Sequence, residues 1–336
     1  MGKLRIGFIG AGGIARSHMQ RLAAIPEAQV VAFTEPSPDA MERMVADYPE
    51  AAHVPVFMDH LDMLDEVEID AVQIHTPHTL HHQQILDCLA SGKHVLCEKP
   101  LVCSVAHARE VMAAQGDRVL MISYQRHFQG PYVYIRDRIL SGQLGELTYV
   151  SALQGQNWLH SQRGQWRSDP ALSGGGQLND SGSHLVDILL WTTGLVVSKV
   201  YASINRYDLA VDIDSAISLC FANGARGSIA IVGHSPMWWE EFSVWGTRGA
   251  LLYRNGTIVE RRFDEDHMVE PASFAADSTP DRNFVDVILG RDSNRVPAEC
   301  GLRVIELTEA AWRSAELGRP VGIDELTPKG EEPCQS

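Results

Sequence analysis

The chain lacks a Cys-x-x-Cys pair: none of its six cysteines (Cys88, Cys97, Cys103, Cys220, Cys300, Cys334) stands in that spacing. A disulfide framework is therefore not expected, and free thiols in a reducing cytoplasm are. No uninterrupted apolar run is long enough to span a bilayer; the stretch 185–197 is broken by Asp187, Thr192 and Thr193. No membrane association is expected. Nor does a signal peptide precede the first strand pattern, which begins at once. Positive charge is scarce, with 28 Lys and Arg against 43 Asp and Glu and a net charge of -15. Such a surface repels phosphate backbones, which argues against nucleic acid as a partner. Internal repeats and low-complexity segments are absent.

What is present is the composition of a globular protein: 336 residues, 45% hydrophobic and 21% charged. The length suits two domains. Strand-like runs at 4–9, 29–34, 71–75, 94–97 and 118–122 alternate with helical patterns that end near 24 or cover 40–47, 82–90 and 105–114. This alternation predicts an α/β domain over 1–122, an N-terminal Rossmann doubly wound parallel sheet. The pattern then changes. A helix at 132–141 is followed by strands at 147–154, 199–205, 216–221, 227–232, 241–245 and 250–253, with Asn223-Gly224 and Asn255-Gly256 as hairpin turns. A C-terminal α+β domain with a largely antiparallel open-faced sheet is expected over 123–324. Its last helix, 302–317, either closes that domain or packs back on the first. Residues 325–336 read as a loose polar tail.

The first strand runs into Gly10-Ala11-Gly12-Gly13-Ile14-Ala15, which fits G-x-G-x-x-A, and Glu35 ends the next strand twenty positions past Ala15. Strand, turn, helix and acid together specify a dinucleotide site. Gly10 permits the tight turn. Gly12 lets the backbone approach a pyrophosphate, and Ala15 lets helix and strand pack closely. The helix start offers N–H groups and a positive dipole end to phosphates. Glu35 would accept from ribose hydroxyls and repel a 2′-phosphate, so NAD is expected and NADP disfavoured.

Two further segments can carry chemistry. Glu98-Lys99-Pro100 follows the fourth strand, whose carboxyl end faces the ligand crevice in an open α/β sheet. Lys99 there could polarise an oxygen and move a proton; it could also be a plain surface lysine. In Ser173-Gly174-Gly175-Gly176-Gln177-Leu178-Asn179-Asp180-Ser181-Gly182-Ser183-His184, Asp180 and His184 stand four apart, on one face of a helix. Such a pair suits proton transfer near neutral pH. A capping Asp with an incidental His fits the spacing equally well.

At this point the sequence resembles the Gfo/Idh/MocA oxidoreductases, which include glucose–fructose oxidoreductase and inositol dehydrogenases. The resemblance covers roughly residues 3–320. It rests on 10–15, on Ser91-Gly92-Lys93-His94-Val95-Leu96-Cys97-Glu98-Lys99-Pro100 and on 174–187. It implies that Lys99, Asp180 and His184 line the substrate pocket, that Glu98 and Lys99 lie beside the nicotinamide ribose, and that the Lys99–Pro100 bond is cis. It further implies that Thr76, Pro77 and His81 border the cofactor, and that the open-faced sheet builds a homodimer or homotetramer. Two positions depart from the family pattern: His127 precedes Phe128, and His78 follows Thr76-Pro77 where Asn is frequent.

His75, His78, His81 and His82 form a histidine-dense stretch, but no nearby carboxylate or cysteine completes a ligand set, and no metal is expected. Trp158, Trp166 and Arg167 precede the glycine-rich run and could hold a sugar ring or pack the loop. Gln125, Trp166 and Arg167 are taken as substrate contacts beside Lys99, Asp180 and His184. Met237-Trp238-Trp239 suggests a subunit contact or pocket wall. The expected activity is hydride transfer between NAD and a secondary alcohol of a sugar, inositol or related polyol. Whether Lys99 or His184 accepts the proton stays open. An NAD-retaining glycoside hydrolase is the alternative. The joint presence of Lys99, Asp180 and His184 weighs against a non-catalytic cofactor-binding regulator.

Overall fold

A computed structural model describes residues 2–263 and 265–326. Two compact units make up the chain, and each is discontinuous in sequence. The first comprises Met1–Val102, His107–Gln125 and Ser278–Gly301, and the second Cys103–Ala106, Arg126–Asp277 and Leu302–Ser336.

The first unit holds six strands, β1 (Leu4–Ile9), β2 (Ala28–Thr34), β3 (Val56–Phe57), β4 (Ala71–Ile74), β5 (His94–Cys97) and β6 (Leu120–Ile122), in the order β3-β2-β1-β4-β5-β6. All neighbours pair in parallel. Every residue of β4 and β6 is buried, as in a sheet covered on both faces. The helices α1 (Gly13–Ala23), α2 (Pro38–Asp47), α3 (His60–Glu66), α4 (His81–Ala90) and α5 (Val105–Ala114) connect the strands. Strand order reverses between β1 and β4. Ligands of open α/β sheets bind at this switch point, outside the carboxyl ends of the strands. The helix Pro280–Ile288 returns to this unit; Thr279 caps it by accepting from the Arg282 N–H, and Pro280 occupies its first turn.

The second unit carries nine strands. In chain order they are β7 (Leu147–Asn157), β8 (Val197–Asn205), β9 (Asp214–Phe221), β10 (Arg226–Val232), β11 (His234–Gly246), β12 (Gly249–Arg254), β13 (Thr257–Arg261), β14 (Asp266–Val269) and β15 (Val321–Gly322). The sheet order is β14-β13-β12-β11-β7-β10-β9-β8-β15. Pairing is antiparallel throughout except between β7 and β10. Over the central strands buried and more exposed side chains largely alternate. Val150, Ala152, Ile217, Leu219, Ile229, Ile231 and Val244 are buried, and the helix Gly182–Thr193 packs on β7 from that side. On the other face Tyr149, Tyr201 and Trp245 are each more than two-fifths exposed. Tyr149 and Trp245 are direct cross-strand partners, and the Tyr149 hydroxyl donates to Ser228 Oγ at 3.1 Å.

Several elements extend past their sequence-based limits. The segment expected as a strand at 241–245 is part of β11, thirteen residues long, with a register irregularity between His234 and Trp239. The irregularity accommodates Pro236, which has no ladder N–H to give. Met237 and Trp238 lie in this stretch and are about half exposed. The closing helix runs Ala298–Leu317, and β15 and a 3-10 turn at Ile323–Leu326 follow it. Of the expected tail, residues 327–336 lie outside the described residues, as does Cys334. No helix among the described residues is long and apolar enough to cross a membrane.

Candidate active site

In the first unit the glycine turn sits between β1 and α1. Gly10 has φ +93°, and a Cβ there would meet the His75 carbonyl at 3.1 Å, so a side chain is excluded on both counts. Over Gly12 and Gly13 there is open space, and both are exposed. No side chain caps α1 and no acidic residue stands in its first turn, so its positive end stays available to an anion. Ala11 and Ala15 are buried, and Ile14 is exposed at the helix start. Glu35 is anchored: Oε2 accepts from the Ala11 N–H at 2.7 Å and Oε1 from the Ser37 N–H at 2.9 Å. Each oxygen keeps a lone pair for a ribose hydroxyl. An uncapped helix start, clear backbone at Gly12 and Gly13 and a fixed acid after β2 fit a dinucleotide.

The ends of β4 and β5 carry the other candidate residues of this unit. Thr76 Oγ1 donates to Gln84 Oε1 at 2.6 Å, and Pro77 follows. His81 is fully buried. Its Nδ1 lies 2.8 Å from the Pro100 carbonyl oxygen and its Nε2 3.0 Å from that of Thr76. Its ring joins the two strand-end loops. Burial lowers its pKa, so the neutral tautomer donates to one carbonyl. The Lys99–Pro100 bond is cis, and Lys99 is half-buried. Glu98 Oε1 lies 3.0 Å from His18 Nε2. Gln125, half-buried, ends the segment His107–Gln125. In the histidine-dense stretch, His82 Nε2 lies 2.9 Å from Glu110 Oε2, while His75 is buried against Phe8 and His18.

The second unit brings together Asp180, Trp166 and Arg167. Asp180 lies in the turn before the helix Gly182–Thr193, and His184 lies in that helix's first turn. Asp180 is thus not on the helix, as the four-residue spacing suggested. Its Oδ2 accepts from Trp158 Nε1 at 2.9 Å and pairs with Arg167 Nε at 3.2 Å. The Arg167 guanidinium stacks 4.3 Å above the Trp166 ring, a cation–π contact that holds it in place. Trp158 is buried among Leu159, Val211 and Ile213. Its sugar-holding alternative is therefore set aside: the ring packs in the core and only its N–H is used.

Asp212 escaped the sequence reading. Its Oδ1 accepts from the Gly176 N–H at 2.8 Å and Trp312 Nε1 at 3.0 Å, and its Oδ2 from the Leu178 N–H at 2.8 Å. Burial raises its pKa against these donors. A Cβ on Gly176 would collide with the Asp212 carbonyl oxygen, so the close approach requires glycine there. The carboxylate fixes the loop that leads into Asp180. His127, one of the departures, places Nε2 at 2.8 Å from Asp187 Oδ2 and stacks its ring on Trp191.

Residues 4–124 match the family model described as an oxidoreductase family with an NAD-binding Rossmann fold. Residues 132–252 match the GFO/IDH/MocA C-terminal domain. The chain belongs to the Gfo/Idh/MocA oxidoreductases. Among its relatives is an inositol 2-dehydrogenase of Rubrobacter xylanophilus, 25% identical over 97% of this chain and 95% of that one. Two solved structures share the fold. A putative NADPH-dependent oxidoreductase of Desulfitobacterium hafniense aligns with a TM-score of 0.84, at 21% identity, over 98% of this chain and 100% of that one. The WlbA dehydrogenase of Bordetella pertussis, solved with NADH and UDP-GlcNAcA, aligns with a TM-score of 0.82, at 23% identity, over 96% and 98%. Residues 4–124 of this Gfo/Idh/MocA chain thus form the family's NAD-binding Rossmann domain.

Proposed function

We propose that the protein is an NAD-dependent dehydrogenase acting on a secondary alcohol of a sugar, inositol or related polyol. The carrying observation is the Asp180 carboxylate, fixed by Trp158 and Arg167 just before the helix that bears His184, in a chain related to an inositol 2-dehydrogenase. NAD, when bound, supplies the hydride acceptor. The chain's part is to bind, orient and move a proton. Gly10, Ala11, Gly12, Gly13 and Ile14 present the start of α1 to the pyrophosphate, and Glu35 takes the ribose hydroxyls. Thr76, Pro77 and Glu98 border the cofactor, with His81 bracing the loops behind them. Lys99 or His184 takes the hydroxyl proton, and Asp180 supports the charge. Gln125, Trp166 and Arg167 hold the polyol's other hydroxyls. NAD is favoured over NADP because Glu35 is charged and fixed by two backbone N–H groups.

The exposed Tyr149, Tyr201 and Trp245 on the uncovered sheet face support assembly as a homodimer or homotetramer. Among the described residues, Cys88, Cys97, Cys103, Cys220 and Cys300 are not joined in disulfides, which supports a cytoplasmic location. The deciding experiment presents sugars, inositols and glycosides with NAD⁺ and follows NADH and released aglycone together. NADH accumulating with one polyol is expected. Aglycone release without net NADH would move the protein to the NAD-retaining glycoside hydrolases.

A further inference from the structure

Within the first unit, next to the candidate cofactor residues, lies a buried charged cluster. His18, on the inner face of α1, is fully buried. Its Nδ1 lies 2.7 Å from Asp281 Oδ1 and its Nε2 3.0 Å from Glu98 Oε1. An imidazole can donate to two carboxylates only when both nitrogens carry protons. Asp281 also accepts from Gln73 Nε2 at 3.1 Å and Arg21 Nη1 at 3.4 Å. Ser123 hydrogen-bonds Glu98, and the His75 ring lies 4.5 Å from that of His18. Burial works against a charged His18, but the charges of Asp281 and Glu98 outweigh it and hold the imidazole at about 9. The same imidazolium, set against burial, holds Glu98 well below the usual carboxylate range.

A buried ion cluster is a weak device for stability, since apolar side chains of similar volume hold elements together as well or better. What this cluster does provide is registry. It ties the helix of the glycine turn, the end of β5 and the start of the helix Pro280–Ile288 to one ring. Having no exposed surface, His18 acts only through its neighbours.

We propose that His18 is a positioning residue of the cofactor site: by bridging Asp281 and Glu98 it fixes the Glu98–Lys99 corner against which the nicotinamide end of the dinucleotide binds. This rests on the NAD-dependent reading above.

The test compares NAD⁺ with ADP, which carries only the adenosine and phosphate end. Calorimetric titration of the full chain and of His18→Gln should show NAD⁺ weakened about tenfold in the variant, the loss of one charge-assisted contact, and ADP changed less than about twofold. Equal weakening of both, or of neither, overturns the role. Histidine NMR on the wild-type chain needs no variant to fold: NAD⁺ should shift the His18 ring signals and ADP should not. Absence of a selective shift also overturns it. A wild-type chain that binds ADP but not NAD⁺ overturns the dehydrogenase reading itself, whereas normal wild-type binding with an unaltered variant overturns only the assignment to His18.

Discussion

The Trp158 indole donates its N–H to the Asp180 carboxylate across 2.9 Å, from a ring buried in the second unit's core. A hydrogen bond to a charged group contributes about 1.5–3 kcal/mol. Trp158→Phe removes that donor and keeps most of the packing. Turnover on the true substrate should fall by about tenfold or more while NAD⁺ affinity stays unchanged. Steady-state kinetics normalised to folded protein check this, and unchanged turnover would show that Asp180 does not depend on the indole.

Cofactor choice is predicted from Glu35. Wild-type protein should bind NAD⁺ more tightly than NADP⁺, and Glu35→Ala should narrow the gap. The structure adds a second effect. The variant also loses the acceptors of the Ala11 and Ser37 N–H groups, so NAD⁺ itself should weaken. Parallel titrations of both cofactors read the two effects. Tighter NADP⁺ binding by the wild type would contradict the assignment.

Much of the site was legible because its parts are local. Gly10 to Ala15 and Glu35 follow from steric and charge rules over a short span, and the strand pattern puts Lys99 at a carboxyl end, whereas Thr76 and Glu98 enter only through the family resemblance. Trp158, Asp212 and His18 were not legible in those roles. Their partners lie 22, 34 and 263 residues away, in the Trp158–Asp180, Asp212–Leu178 and His18–Asp281 pairs, and no periodicity encodes such contacts. Short elements escaped for a different reason. Neither β3 nor β15, two residues each, has room for a pattern. The helix Pro280–Ile288 did carry a readable start in Thr279-Pro280-Asp281.

Stability should depend on pH from both sides of neutrality. His18 is held at about 9, above its ordinary 6.5. Its contribution is complete below about pH 6.5 and disappears as pH rises through about 9. His75 behaves oppositely: burial first, then the neighbouring His18 charge, pushes it down to about 3. The unfolded chain takes that proton first, so stability is lost as pH falls from about 6.5 towards 3. Glu98 and Asp281, both lowered, add to the acid loss. Thermal unfolding midpoints across pH should show an alkaline decline in wild type that flattens in His18→Gln. An equally steep decline in the variant would assign that limb to other groups.

Assembly is predicted from the uncovered sheet face. Trp245 and Tyr149 are cross-strand partners, and the small side chains Ser151, Ser228 and Ser243 surround them. A face with exposed aromatic anchors favours a self-complementary contact. Light scattering at micromolar concentration should show a multiple of 37.1 kDa, and Trp245→Glu should reduce it to the single chain. A wild-type protein that scatters only as one chain would exclude this use of the face.

The proposed proton-transfer groups give the most direct test of the chemistry. Lys99 stands at the carboxyl end of β5, beyond a glutamate that His18 and Ser123 hold in place. His184 stands in the first turn of a helix whose approach is fixed by Asp212 and whose preceding residue pair, Asp180 and Ser181, is bonded to Trp158 and Gln154. If these groups move the hydroxyl proton, Lys99→Ala and His184→Ala should each lower kcat by on the order of 10²–10⁴-fold. Asp180→Asn should be slow as well, because it removes the charge while leaving a side chain of the same shape. NAD⁺ affinity should stay near wild type in His184→Ala. A merely architectural role gives the opposite signature: unfolding midpoints fall, and kcat per folded molecule holds. Measuring both quantities on the same preparations separates the two. Near-normal turnover in Lys99→Ala and His184→Ala together would leave the dinucleotide fold intact and remove the dehydrogenase chemistry assigned to it.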